Sequence, residues 1–123
     1  MNYKLATLLI GLFASTIHAF EQLTSLQQLQ TKITHHRAVL VKVSRDNCPP
    51  CRQLAPILTQ FSKKYSSYTY FEVDSTVARD IVNYYNVNKV PTILYFYKGH
   101  LKGRDTGAQS FGSLEKRAKE LLQ

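Results

Sequence analysis

The sequence predicts a single α/β domain with a central mixed β-sheet flanked by helices, and three observations predict it. First, helix-spaced and strand-like segments alternate along the chain. Second, Ala38-Val39-Leu40-Val41-Lys42-Val43 is a β-branched apolar run broken by one charge, the pattern of a parallel strand covered on both faces. Third, 123 residues leave room for one domain, and 44% hydrophobic with 20% charged residues is the composition of a packed globular chain rather than a disordered one.

Residues 1–19 read as a secretory leader. Lys4 is followed by Leu5 to Ile17, without charge, and by the small residue Ala19 for cleavage. Even extended to Phe20 the apolar stretch is short of the ~20 residues a membrane-spanning helix needs. The competing reading is an uncleaved anchor. With the leader removed, residues 20–123 form the domain, with no stable membrane insertion and a periplasmic or secreted location where disulfides persist.

Leu23, Leu26, Leu29 and Ile33 recur at helical spacing behind a Thr24 or Ser25 cap, which predicts a first helix ending at His35-His36-Arg37. After the strand at 38–43, Asp46 to Pro50 is a turn opening a second helix, because proline is tolerated in a first helical turn. Leu54, Ile57, Leu58, Phe61 and Tyr65 line one face of it, and Pro56 inside it predicts a kink. Tyr68 to Asp74 alternates as a strand. Val77, Ala78, Ile81, Val82 and Tyr85 then space as a third helix. Thr92 to Tyr97 is a strand, Lys98-Gly99-His100 a turn, Leu101 to Asp105 the other half of a hairpin, and Gly107 the break. Phe111, Leu114, Ala118 and Leu121 mark a last helix capped by Ser110 or Ser113.

The chemistry concentrates at Cys48-Pro49-Pro50-Cys51, the only two cysteines in the chain. A C-x-x-C pair between a buried strand and a helix reads as a redox dithiol. Cys48 falls where the helix dipole and unpaired N–H groups favour an anion, so it is the candidate attacking thiol. Cys51, one turn further in, is the candidate resolving thiol and the more buried of the two. Two other readings stay open. A structural bridge over so short a loop contributes roughly 2 kcal/mol, against about 3 for a fifteen-residue loop. A metal site needs ligands beyond two thiolates, and the spacing of His35, His36 and His100 brings none of them to the cysteines.

Taken together, these features resemble the thioredoxin superfamily over nearly all of residues 20–123. They are the C-x-x-C after a hydrophobic strand, Pro56 five residues past Cys51, Val90-Pro91-Thr92 before a strand, and Gly107-Ala108 after the hairpin. The resemblance implies a thioredoxin-like fold. It also implies a cis Pro91 facing the dithiol, with Val90 and Pro91 binding substrate chain as an added strand. The pattern departs from the family in three places. Asn47 stands where tryptophan commonly precedes the first cysteine, and the chain has no tryptophan. Pro49-Pro50 replaces the Gly-Pro usual in thioredoxins and modulates the thiolate environment. Lys42 occupies the place of a buried acid. A lysine under the dithiol favours thiolate and makes the disulfide a better oxidant. Alternatively Lys42 pairs with Glu72 on the neighbouring strand.

The expected function is thiol-disulfide exchange with protein thiols and disulfides and an upstream redox partner, by a monomer with neither cofactor nor metal. The alternative is a non-catalytic binding module of the same fold that holds a protein or metal ion at the C-x-x-C face. A formal charge of +8 permits acidic partners on electrostatic grounds. The aromatic runs Tyr84-Tyr85 and Tyr95-Phe96-Tyr97 read as packing rather than as a nucleic-acid surface. No Walker-type glycine loop, H-E-x-x-H or G-x-S-x-G occurs, so nucleotide and hydrolase chemistry find no support.

Overall fold

The structure, a computed structural model, describes residues 20–123. The leader read at 1–19 lies outside the described residues. Nine elements follow one another: β1 (Glu21–Leu23), α1 (Leu26–His35), β2 (Ala38–Ser44), α2 (Pro49–Lys64), β3 (Thr69–Asp74), α3 (Arg79–Tyr84), β4 (Thr92–Tyr97), β5 (His100–Thr106) and α4 (Phe111–Leu121). The strands form one mixed sheet in the order β1-β3-β2-β4-β5. β1, β3 and β2 run parallel, β4 pairs antiparallel with β2, and β5 pairs antiparallel with β4.

Strand alternation sends successive side chains to opposite faces of this sheet. Val39, Val41 and Val43 of β2 join Leu29, Ile81 and Phe96 in a core under α1 and α3. Leu40 joins Leu54, Leu58, Phe61, Ile93 and Leu114 in a second core under α2 and α4. Lys42, two residues from Leu40, therefore faces the helix that carries the cysteines. Glu72 of β3 is its direct register partner.

Three segments differ from the sequence expectation. Leu23 belongs to a short strand, β1, and not to the first helix. That helix starts at Leu26, where the Ser25 hydroxyl accepts the Gln28 N–H at 3.2 Å. Val77 lies outside α3 and is 59% exposed. The Asp74 side chain accepts from the Thr76 N–H, and its carbonyl from the Val77 and Ala78 N–H groups, so a turn delays the helix to Arg79. His100 starts β5 and is not part of the turn, which is made by Lys98 and Gly99 at φ of 50° and 81°. Two adjacent residues with positive φ match the twist of a tight hairpin.

Among the described residues no helix is long and apolar enough to cross a membrane.

Candidate active site

The C-terminal ends of β2 and β3 and the start of β4 lie at one end of the sheet, since Ser44 registers with Asp74 and Val43 with Thr92. The loops at 45–48, 75–78 and 86–91 emerge there together, the usual place for a site in an open parallel sheet.

The loop after β2 turns at Asn47, whose φ of 54° is a left-handed conformation that asparagine tolerates. It delivers Cys48 to the N-cap of α2. The Cys48 Sγ accepts the Cys51 N–H at 3.3 Å, and the Cys48 carbonyl accepts the Arg52 N–H at 3.1 Å. Pro49 and Pro50 fill the first two helical positions and bring no N–H. The Cys51 amide is thus the first donor the helix offers the sulfur. Cys48 and Cys51 are joined as a disulfide, with their Cα atoms 5.2 Å apart.

Burial corrects one expectation. Cys51 is not the more buried partner: the two residues are 4% and 5% exposed. Capping turns the Cys48 side chain back over the first helical turn instead of outward, and in the disulfide each sulfur covers the other.

Beside Cys51 opens a recess of about 190 Å³, whose lining includes Lys42, Ser44, Asp46, Arg52, Glu72 and Asp74. Lys42 Nζ lies 2.9 Å from Glu72 Oε1, with the two side chains 8% and 18% exposed. The Ser44 hydroxyl donates to the same carboxylate oxygen at 3.1 Å. The Lys42 ammonium is therefore not a lone cation beneath the dithiol. It is half of a buried pair, and both halves border the recess that Cys51 lines.

The Val90–Pro91 peptide bond is cis. The Pro91 carbonyl accepts the Gly107 N–H at 2.8 Å, and the Thr92 hydroxyl donates to the Lys89 carbonyl at 2.7 Å. These two bonds fix the segment on either side of the proline at the same end of the sheet as the cysteines.

The histidines lie elsewhere. His35 and His36 precede the start of β2, and His100 registers with Tyr97, which closes β4 beside Ala38. All three sit at the opposite end of the sheet from the dithiol. Among the described residues no cluster of three or more His, Cys, Asp and Glu side chains is placed to hold a metal ion. Sequence reasoning did not find Ser44, Asp46, Arg52 and Asp74 in the recess. The signal for Ser44 and Asp74 was their place at the ends of neighbouring parallel strands, which only the register turns into proximity.

Comparison with known proteins agrees with this geometry. Thioredoxin from Sus scrofa is 33% identical over 86 residues, which are 70% of this chain and 81% of that protein. Thioredoxin-2 from Pyricularia oryzae is 32% identical over 93 residues, 76% of this chain and 53% of that one. A peptide-N(4)-(N-acetyl-beta-glucosaminyl)asparagine amidase from Caenorhabditis elegans is 34% identical over 73 residues, but the chain spans only 12% of its length. Oxidised mitochondrial thioredoxin 3 from Saccharomyces cerevisiae superposes with a TM-score of 0.78 at 26% identity, over 83% of this chain and 95% of the other. Residues 21–120 match the Thioredoxin family profile. With that match covering the whole sheet and the dithiol helix, the chain belongs to the thioredoxin family.

Proposed function

We propose that the protein is a thiol-disulfide oxidoreductase that works through Cys48 and Cys51. The observation that carries this reading is the disulfide held at the N-cap of α2, with the Cys48 sulfur already accepting a backbone N–H. That donor and the positive end of the helix favour sulfur as thiolate, the form that attacks disulfides.

In the reducing direction the Cys48 thiolate attacks one sulfur of a substrate disulfide. The substrate S–S bond breaks, a mixed disulfide forms, and the departing substrate thiolate takes up a proton. Cys51 then loses its proton into the polar recess, where the Glu72 carboxylate is within the same lining. The Cys51 thiolate attacks the Cys48 sulfur and releases the second substrate thiolate. Two electrons have passed to the substrate, and the Cys48–Cys51 disulfide remains. Run backwards, the same steps oxidise a dithiol, and the potential of the redox partner sets the direction.

Substrate chain pairs along Val90 and Pro91 as an added strand, the role the family resemblance implies for that segment. Protein thiols and disulfides are the substrates, and a separate redox partner restores the starting state. The leader-like residues 1–19 support a periplasmic or secreted location for this monomeric domain.

The test is the redox equilibrium with glutathione, together with turnover of a disulfide-bonded protein such as insulin. The wild-type chain equilibrates between dithiol and disulfide and turns over substrate, and Cys48→Ser loses turnover. A binding module of the same fold would show no turnover to lose, and that result would overturn the proposal.

A further inference from the structure

Beyond the dithiol, the same end of the sheet carries a second depression of about 360 Å³, lined by Arg45, Ser75, Arg79, Lys89 and Val90 among others. It is built from all three loops that surround the site. Arg45 lies on the loop that leads into Cys48. Arg79 opens α3, and Lys89 and Val90 immediately precede Pro91. Three cations therefore line one groove, which runs from the approach to the attacking sulfur to the edge where substrate chain pairs.

These charges are not spent inside the protein. Among the described residues none of the three enters an ion pair, and Arg79 Nη1 donates only to the Ser75 carbonyl, at 3.2 Å. No carboxylate lines the groove. The nearest acids lie outside the groove: Asp74 accepts from Thr76, Asp80 accepts from the Leu26 N–H, and Asp46 borders the recess on the Cys51 side. Arg45 shares the lining of that recess, so Arg79 and Lys89 are the two cations that share neither lining with a carboxylate.

Resting on the proposed exchange activity, we infer that this groove selects protein partners carrying an acidic segment beside the reacting cysteine. Aspartate or glutamate side chains lie across Arg45, Arg79 and Lys89 while the neighbouring sulfur reaches Cys48. Three cations suit a short acidic peptide, and no further cation lines the groove to follow a longer polyanion. The adjoining Val90 edge accepts an extended polypeptide by backbone pairing.

Two disulfide-bonded peptides of one sequence, flanked by three aspartates or by three lysines, test the inference. Bis(hydroxyethyl) disulfide, small and neutral, serves as the reference substrate. Exposed ion pairs contribute little singly, so three together predict a kcat/KM ratio on the order of tenfold in favour of the acidic peptide at low salt. That ratio falls toward one near 1 M salt, where screening acts over about 3 Å. Arg79→Ser combined with Lys89→Ser lowers the ratio to about threefold or less, and because it is a ratio, any general loss of activity cancels. Equal rates for the two peptides in the wild type would overturn the inference, as would a ratio unmoved by the double substitution. Tight oligothymidylate binding at physiological salt, lost in the same variant and without any peptide preference, would assign the groove to nucleic acid instead. Failure of the wild type to react even with bis(hydroxyethyl) disulfide would sink the exchange activity itself, a result separable from the others.

Discussion

At the residue scale, the site is governed by what Pro49 and Pro50 remove and by what Lys42 and Glu72 hold. An ordinary helix directs several unpaired N–H groups at its N-cap, and here the first two positions have none. Pro50→Ala restores a second donor for the Cys48 sulfur. One added hydrogen bond of about 0.5–1 kcal/mol raises the thiolate fraction roughly two- to fivefold. We expect alkylation of the reduced protein at neutral pH to quicken by less than that factor, because a thiolate of lower pKa is a weaker nucleophile, with Cys48 as the modified residue by peptide mapping.

The Lys42–Glu72 pair carries a different kind of consequence. Removing one member of a buried pair strands the other without its counter-charge, so Glu72→Leu should cost roughly 3 kcal/mol in a denaturant titration. Lys42→Met combined with Glu72→Leu should recover most of that loss. A double variant as unstable as the single one would show that the pair contributes packing or hydrogen bonds that apolar side chains cannot replace. The cysteines and the Lys42–Glu72 pairing were legible in the sequence, because residue type and strand neighbourhood suffice to suggest them. The equal burial of the two cysteines was not, because it follows from the direction in which the cap turns one side chain.

At the scale of elements, long periodic segments were legible and short ones were not. α2 and α4 show helical spacing over several turns, and β2 and β4 are apolar runs too dense for loops. β1 has three residues and a single buried side chain, Leu23, at 2% exposure. One leucine followed by others at helical spacing carries no strand signal, and pairing with β3 decides the matter. α3 starts later than its apolar spacing suggests because the Asp74 turn, a local hydrogen-bonding arrangement, overrides that spacing. If β1 holds its place mainly through Leu23, then Leu23→Ala costs about 2–4 kcal/mol. Glu21→Ala and Gln22→Ala, both exposed, should stay within about 0.5 kcal/mol. Chemical denaturation of the three variants checks this ordering.

At the scale of the whole molecule, the core under α2 and α4 is aromatic-rich, and this sets an upper limit on pH. Tyr95 is fully buried, with its hydroxyl donating to Asp105 at 2.9 Å, and Tyr70 donates to the Tyr65 carbonyl at 2.8 Å. Burial holds both phenols protonated well above the ordinary tyrosine range, and in Tyr95 the nearby Asp105 charge adds to the effect. A raised folded value means that the contribution to stability is intact below the unfolded value near 10 and is lost as pH rises through the folded one. Urea unfolding should therefore give nearly constant stability from about pH 8 to 9.5 and a fall above about pH 10. Tyr70→Phe should make that fall shallower, with the remainder carried by Tyr95.

The overall architecture was legible because the order of elements and the single buried parallel strand restrict the possible sheets. The gathering of three loops at one end of the sheet was not, since Arg45, Arg79 and Lys89 are far apart in the chain and have no shared pattern.

The central claim, that Cys48 attacks and Cys51 resolves, is tested most directly by trapping the intermediate. Cys51→Ser, reduced and then mixed with a disulfide-bonded peptide, should accumulate a mixed disulfide on Cys48, identified by mass after digestion. Cys48→Ser under the same conditions should accumulate little. An adduct that forms equally well on Cys51 in the second variant, or on neither cysteine, would contradict the account.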